Sequence, residues 1–477
     1  METTNTPKKN SKYSELLTNT GMLAIGNFSS KILVFLLIPL YTNILTKSEY
    51  GYYDLVLTTL QLLIPLFTLN VTDGVLRFVL ENKNQTAEVV KISIWYLLIS
   101  ILPAILSLLV VIITGISPQT LDYAVYIFLY YVGNMYNQFL IQLAKGVDKV
   151  KHMVIAGVLG TITNVALCLL LLLQFHLGLA GFFIANIMGQ IIPCLYLTFS
   201  LEIWRYIGAH TQRNKELEKR LLKYSIPLIL TSVGWWINNT FDRYIITYIK
   251  GVDVNGLLAV AYKIPSILSI IYSLFTQAWQ ISAMKEYGQD GSKEFYNLVF
   301  KYLNIFMFFI AAGLIILTKP IAHLMYGNFY DAWVFVPFLV LSGVFTASAG
   351  YIAPILTSAY DTKSVALSTI YGGIINIVLN IVLLYIIGSI GVTIATAISS
   401  FVILYVRYHA LENVIEKKVF LHAVGIWGAL LLQSVAEIYN IYLVEAFIIL
   451  VVTVLNYKSV KLICEKLYSA VSVRFHK

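Results

Sequence analysis

The sequence predicts an all-α polytopic membrane protein of about fourteen transmembrane helices. Of its 477 residues, 58% are hydrophobic and only 12% are charged, whereas soluble domains carry roughly 25% charged residues. The apolar residues occur in runs of about twenty, the length that crosses a hydrocarbon layer of roughly 30 Å. Together these observations exclude a soluble domain and indicate many spans rather than one anchor.

Fourteen apolar windows separated by polar breaks define the predicted spans. The polar first fourteen residues do not resemble a cleavable signal peptide, so span one is expected to remain in the mature protein. The windows lie near residues 20–45, 52–71, 92–114, 123–143, 153–173, 177–199, 225–249, 256–281, 302–318, 333–357, 365–387, 392–408, 420–435 and 442–455.

Lysines and arginines are distributed unevenly between the two sides of the membrane. With the amino terminus in the cytoplasm, the cytoplasmic segments hold 27 of the 33 and the outer loops hold three. This bias agrees with the positive-inside rule and predicts a bacterial cytoplasmic (inner) membrane protein with both termini in the cytoplasm. The net charge of +9 therefore belongs to segments between spans, and no nucleic-acid partner is predicted.

Two ungapped offsets indicate that the chain is internally duplicated. An offset of 205 residues aligns Glu81 with Glu286, and an offset of 213 aligns Asp148 with Asp361. Spans one, two, five and six thus resemble spans seven, eight, eleven and twelve. Because an even number of spans, six, separates the copies, both copies have the same orientation across the membrane. Such a parallel repeat predicts a binding site between the two halves.

The duplication predicts four regions. These are a six-helix bundle in residues 1–200, a cytoplasmic linker in 201–223, a second six-helix bundle in 224–412, and two additional helices with a cytoplasmic tail in 413–477. Three distant cysteines and seven scattered histidines show no metal-ligand or redox spacing. No cofactor and no metal are therefore predicted.

Three cations remain inside the spans once the others are assigned to loops: Lys31, Arg243 and Lys263. A cation near the membrane centre costs at least ~2.5 kcal/mol, so it usually lines a water-filled cavity or pairs internally. Lys31 lies deep in span one, and the other two lie one or two turns from the outer boundary. The pattern predicts a cationic cavity that binds an anionic head group.

Asp242 is the candidate charge partner or coupling site among these cations. A buried ion pair of Asp242 with Lys31 or Lys263 is the structural alternative to a cationic cavity. Glu437 and Glu445, at the outer edges of the last two spans, are expected to be solvated. Polar and aromatic side chains within the spans are candidates for sugar contacts. These are Asn27, Gln61, Asn239, Gln277 and Trp236.

Four segments give the chain its resemblance to a known family. They are Ile38–Tyr53, Phe241–Tyr244, Asn376–Asn380 and Gly388–Gly391. Through them the chain resembles the polysaccharide flippase family, which exports O-antigen or capsule repeat units. This family is part of the multidrug, oligosaccharidyl-lipid and polysaccharide exporter superfamily, and the resemblance extends over nearly the whole chain.

The resemblance implies two six-helix bundles around a central cavity that opens alternately inward and outward. It implies that the substrates are polyprenyl-pyrophosphate-linked oligosaccharides and that the protein is a monomer surrounded by membrane lipid. Glycosyltransferases or polymerases are its candidate protein partners. Related lipid II flippases carry membrane-embedded cations in their first and eighth spans. Lys31 and Lys263 stand in the corresponding spans of this sequence.

Three alternatives to an oligosaccharide flippase stay open. A drug or cation antiporter of the same superfamily needs membrane-embedded carboxylates, and Asp242 is a residue that could serve as one. A lipid II flippase would use the same cations as an oligosaccharide flippase. A membrane glycosyltransferase or polymerase is less favoured, because the longest predicted outer loop runs only from Lys319 to Ala332. The chain has no phosphate-binding loop of a nucleotide-driven pump, and it is predicted not to be an enzyme.

Overall fold

The computed structural model describes residues 37–115, 117–210, 214–325, 327–462 and 465. All regular secondary structure in these residues is helical. The chain divides into two compact units, Met1–Ile237 and Asn238–Lys477. The division falls within one continuous helix, whereas the predicted linker ends at residue 223, and the predicted region boundaries stay predictions.

The described residues of the first unit form eight helices and most of a ninth. They are α1 Ile38–Ile44, α2 Lys47–Phe67, α3 Val71–Glu81, α4 Thr86–Thr114, α5 Gln119–Gly146, α6 Val150–Cys168, α7 Gly178–Ser200, α8 Ile203–Gly208 and α9 Lys215–Lys250, which continues into the second unit.

The part of the second unit that the structure describes contains the end of α9 and nine further helices. They are α10 Val252–Ala261, α11 Ser266–Glu286, α12 Ser292–Ile316, α13 Thr318–Met325, α14 Val336–Ser358, α15 Thr362–Ile387, α16 Ile390–Ala410, α17 Lys417–Ile438 and α18 Tyr442–Leu455. A 3-10 segment, Gly327–Phe335, precedes α14.

The predicted all-α polytopic fold is confirmed. In the described residues, nine helical segments are long and apolar enough to cross a membrane, and ten if the bent pair α2 and α3 is one span. Every predicted span from the second to the fourteenth coincides with a helix. Helices α5 and α9 fall short of that apolar criterion because they carry polar residues such as Asn134, Asn137, Asn239 and Asp242.

Span two is broken between α2 and α3, which are bent by 52°. Pro65 lies in the last turn of α2, and the φ of Asn70 is 51°, a left-handed conformation that ends the helix. The Asn70 amide donates to Asp73 Oδ2 at 3.1 Å, and Gln142 donates to Asp73 Oδ1 at 3.2 Å. Asp73 thus fixes the start of α3 after the bend.

The family-like segment Ile38–Tyr53 forms a tight connection between α1 and α2. The Thr46 backbone N–H donates to Glu49 Oε2 at 2.8 Å, and the Glu49 N–H donates to Thr46 Oγ1 at 3.2 Å. This reciprocal capping box satisfies two backbone donors at the start of α2. The rings of Tyr41 and Tyr50 stack at 5.0 Å between their centroids. The segment therefore supports folding.

Two further family-like segments lie in α15 and at the turn between α15 and α16. The Asn380 amide donates to Asn376 Oδ1 at 2.8 Å, and the Asn376 amide donates to Ser399 Oγ at 3.2 Å. A Cβ added to Gly391 would lie 2.4 Å from the backbone oxygen of Leu383. The two helices can therefore approach this closely only with glycine at position 391.

Replacing Gly391 by alanine is expected to destabilise the second unit by about 1–3 kcal/mol, because the backbone of α15 must move to admit the methyl group. Thermal unfolding of the purified protein in detergent measures the loss. Gly425→Ala is the matched control, because a Cβ there meets nothing within 4 Å and alanine favours a helix. Equal unfolding temperatures for the two variants would contradict the close approach at Gly391.

Candidate functional site

Arg243 lies on a polar stripe of α9. Trp236, Asn239 and Arg243 are spaced by three and four residues, so they project from the same face of the helix. Arg243 precedes the end of α9 by seven residues, or about 10 Å at 1.5 Å per residue. Its predicted depth of one or two turns below the outer boundary stays a prediction.

Lys263 lies in a break within span eight. Helix α10 ends at Ala261 and α11 begins at Ser266, and Pro265 lacks the backbone N–H that a continuous helix requires. Lys263 follows the start of α10 by eleven residues. Helix α10 begins at Val252 rather than near Gly256, and the predicted depth of Lys263 in the membrane stays a prediction.

Asp242, Arg243 and Tyr262 form a connected group in the second unit. The Asp242 side chain is buried, and it accepts hydrogen bonds from the Tyr262 hydroxyl and, at 2.9 Å, from the Arg243 backbone N–H. The Arg243 guanidinium carbon lies 4.7 Å from the centroid of the Tyr262 ring, and Nη1 donates to the Asn239 carbonyl at 3.2 Å. Asp242 thus orients the Tyr262 ring, which makes a cation–π contact with the Arg243 guanidinium.

The buried-pair alternative concerns the partner of Asp242. Within the described ranges, no salt bridge joins Asp242 to Arg243 or to Lys263. A pair of Asp242 with Lys31 involves a residue outside those ranges. Asp242 positions Tyr262 through the hydrogen bond that its carboxylate accepts from the Tyr262 hydroxyl.

The other predicted site residues fall into three groups. Lys31 and Asn27 lie outside the described residues, and Gln277 lies on α11 with its side chain outside the described part. Gln61 is exposed on α2 in the first unit. The Trp236 indole N–H donates to the Thr58 carbonyl at 2.6 Å, so this polar atom serves packing against α2.

A basic cleft in the first unit was not predicted. Its volume is about 580 Å³, and it lies between α3 and the start of α9, at the end of the helices predicted to be cytoplasmic. Three cations and one carboxylate supply its charges, a net charge of +2 if all are ionised. The ionisable and aromatic lining residues are Arg77, Phe78, Glu81, Arg220, Lys223 and Tyr224.

Contacts within the basic cleft hold its arginines in place. Arg220 forms a salt bridge with Glu81, and the Arg77 guanidinium carbon lies 4.8 Å from the centroid of the Tyr224 ring. Arg77 and Lys223 form no salt bridge with a described acid. The arrangement leaves positive charge available to an anion.

The expectation for Glu437 and Glu445 was wrong. Both side chains are buried, with 0% and 1% exposed, although both lie at helix ends. The reason is packing: α17 packs against α12 and α14, and α18 packs against α17 and α12. Lys319 of α13 lies 3.3 Å from Glu437 Oε1, so a residue assigned to an outer loop is also part of this buried group.

Residues 16–280 match a family model described as polysaccharide biosynthesis protein. No curated protein sequence matches the chain significantly. Among solved structures, the lipid II flippase MurJ in an inward closed conformation is 16% identical, with a TM-score of 0.68 and coverage of 91% of this chain and 98% of that chain.

Two other solved structures share the fold. An inward-facing multidrug resistance MATE family transporter of the MOP superfamily is 15% identical, covers 84% of this chain and 98% of its own, and gives a TM-score of 0.66. A MOP superfamily transporter from Pyrococcus furiosus is 14% identical, and the match covers 83% of this chain and 96% of that chain with a TM-score of 0.58. Because the family model matches more than half of the chain, the protein belongs to the polysaccharide biosynthesis protein family and has the fold of MOP superfamily transporters.

Proposed function

We propose that this protein is a flippase that moves polyprenyl-pyrophosphate-linked oligosaccharide repeat units from the cytoplasmic to the outer leaflet, for surface polysaccharide biosynthesis. The observation that carries the proposal is the pair of cations within predicted spans seven and eight: Arg243 lies in α9, and Lys263 lies in the turn between α10 and α11. Discontinuous membrane helices commonly border binding sites. Membership of the polysaccharide biosynthesis family supports the substrate class.

The chemistry of the substrate explains why such cations are needed. Each sugar hydroxyl costs several kcal/mol if it is moved unpaired through hydrocarbon, so an oligosaccharide does not cross the bilayer unaided. Arg243 and Lys263 offer charge-assisted hydrogen bonds to the pyrophosphate, and Asn239 offers an amide to the sugars. The prenyl tail stays in lipid. An inside-negative potential favours outward movement of an anion by about 2.3 kcal/mol per charge per 100 mV.

Transport by alternating access is part of the same proposal. In this scheme the head group first meets the basic cleft at the cytoplasmic ends of α3 and α9. Arg77 and Lys223 attract the pyrophosphate there, and Arg220, held by Glu81, lies beside them. The head group then moves to Arg243 and Lys263 before release on the outer side.

A drug or cation antiporter is the alternative favoured by a specific observation, the buried carboxylate of Asp242. In the antiporter, Asp242 would bind a proton or a cationic drug. In the flippase, Asp242 positions Tyr262 beneath Arg243. The two functions therefore assign opposite charges to the preferred cargo.

Reconstitution of the full chain into vesicles separates these functions. A polyprenyl-pyrophosphate oligosaccharide placed in one leaflet is expected to reach the other leaflet, as measured by a lectin or glycosidase added outside. Lipid II and a cationic dye are tested in parallel vesicles. Transport of the dye alone would establish the antiporter, transport of lipid II alone would establish a lipid II flippase, and sugar polymerisation by the purified protein would establish an enzyme.

A further inference from the structure

The two helices outside the predicted duplication hold a buried group of ionisable side chains. Glu437 is in the last turn of α17, and Glu445 is in the first turn of α18. The side chain of Lys319, 12% exposed, places Nζ 3.3 Å from Glu437 Oε1. The same Nζ donates to the Glu437 carbonyl at 2.8 Å and to Asn440 Oδ1 at 2.6 Å. A single ammonium group therefore serves two buried carboxyl groups.

The described hydrogen-bond donors near these carboxyl groups are poorly aligned with their oxygens. In the part of the chain that the structure describes, none of the four carboxyl oxygens of Glu437 and Glu445 accepts a well-formed hydrogen bond. Gln433 lies beside Glu445 and is completely buried, and its Nε2 donates to the Ala312 carbonyl at 3.1 Å. Its Oε1 also accepts no hydrogen bond from a described residue.

The missing donor is supplied if one of the carboxyl groups is protonated. A protonated carboxyl group has an O–H that donates a hydrogen bond, whereas two carboxylates can only accept. The Lys319 ammonium lies 3.3 Å from Glu437 Oε1 and 3.4 Å from the Tyr442 hydroxyl. Glu445 follows Tyr442 by three residues on the same face of α18, which places it beside Glu437, so the O–H of one carboxyl group can reach an oxygen of the other. Buried polar groups without partners are strongly disfavoured, and the shared proton removes this penalty.

Charge balance leads to the same conclusion. Two carboxylates and one ammonium would leave a net charge of −1 in a group whose carboxyl side chains are almost completely buried. An uncompensated buried charge is strongly destabilising, and two adjacent carboxyl groups relieve it by sharing one proton. We infer that Glu437 and Glu445 hold one proton between them and that Lys319 neutralises the remaining carboxylate.

The surroundings contribute few other ionisable groups. From the start of α18, the Tyr442 hydroxyl lies 3.4 Å from Lys319 Nζ, and from the 3-10 segment the Trp333 ring centroid lies 4.3 Å from it. His323, on α13 with Lys319, has its ring centroid 4.7 Å from that of Tyr330, with the two rings tilted by 36°. Both acids lie within one turn of a helix end, on the side of the membrane predicted to be outside. The site does not depend on the proposed function.

Infrared spectroscopy of the full chain in lipid nanodiscs tests this site. The wild type is expected to show the C=O stretch of a buried carboxylic acid at neutral pH, shifted in D2O. Glu437→Gln and Glu445→Gln should each abolish that band, because the remaining carboxylate pairs with Lys319. Glu294→Gln, at an exposed position on α12, is the matched control and should retain it.

Thermal unfolding gives a second measure that requires no spectroscopic assignment. The folded wild type holds about one proton that the unfolded chain lacks, so its unfolding temperature should fall as the pH rises. Glu445→Gln, similar in shape, should flatten this dependence. An absent acid band in the wild type, or a band that survives both glutamine variants, would overturn the inference. Stabilisation by sodium ions at constant pH, lost in Glu445→Gln, would also overturn it and assign the site to Na⁺.

Discussion

A variant with both Arg243 and Lys263 changed to alanine is expected to flip the lipid-linked oligosaccharide at least about 100-fold more slowly than the wild type. Each hydrogen bond to a charged group contributes roughly 1.5–3 kcal/mol, so losing two costs about 3–6 kcal/mol. Each 1.4 kcal/mol corresponds to about tenfold. The measurement is the rate at which head groups become accessible outside reconstituted vesicles.

Two comparisons separate the charge from general damage to the fold. Arg243→Lys with Lys263→Arg keeps both positive charges and should retain most of the rate, although lysine cannot reproduce the planar guanidinium over Tyr262. Lys250→Ala with Lys293→Ala removes two exposed cations outside the membrane centre and should leave the rate unchanged. A triple variant that also carries Lys31→Ala and still flips at the wild-type rate would refute the cationic cavity.

The fold was largely predictable because its main determinant is the length of apolar runs. Each predicted span from the second onward coincides with a helix, since backbone groups in lipid must form hydrogen bonds within the chain. The breaks were harder to predict. Pro65 and Pro265 are visible in the sequence, yet a proline in a membrane helix permits either a mild kink or a complete break. The separation of α10 from α11 at Lys263 therefore had to come from the structure.

The candidate site was predictable in its charges and not in its contacts. Arg243 and Lys263 stood out because cations are costly in hydrocarbon, but the contact of Arg243 with Tyr262 depends on the turn that follows α10. The basic cleft was missed because its cations were interpreted as the positive-inside bias. Glu437 and Glu445 were misassigned because position at a span end does not reveal the packing of a neighbouring helix.

Neutralising the basic cleft by changing Arg77, Arg220 and Lys223 to glutamine is expected to raise the KM for transport by about 10- to 100-fold and to leave kcat unchanged. These side chains line an open cleft, so each is assigned only about 0.5–1 kcal/mol of attraction for the anionic head group. Three such losses amount to about 1.5–3 kcal/mol, which corresponds to that range. An effect on KM alone identifies first binding rather than movement across the membrane.

Salt and a charge-matched variant test whether the cleft attracts the head group locally. Raising the ionic strength should increase the KM of the wild type and change that of the triple glutamine variant less, because salt screens exposed charges. Changing Lys151, Lys215 and Lys417 to glutamine removes three exposed cations that do not line the cleft, and should shift the KM little. If both triple variants raised the KM equally, the overall positive charge of that surface would attract the substrate. If the cleft variant lowered kcat instead, the cleft would belong to the moving part of the transporter.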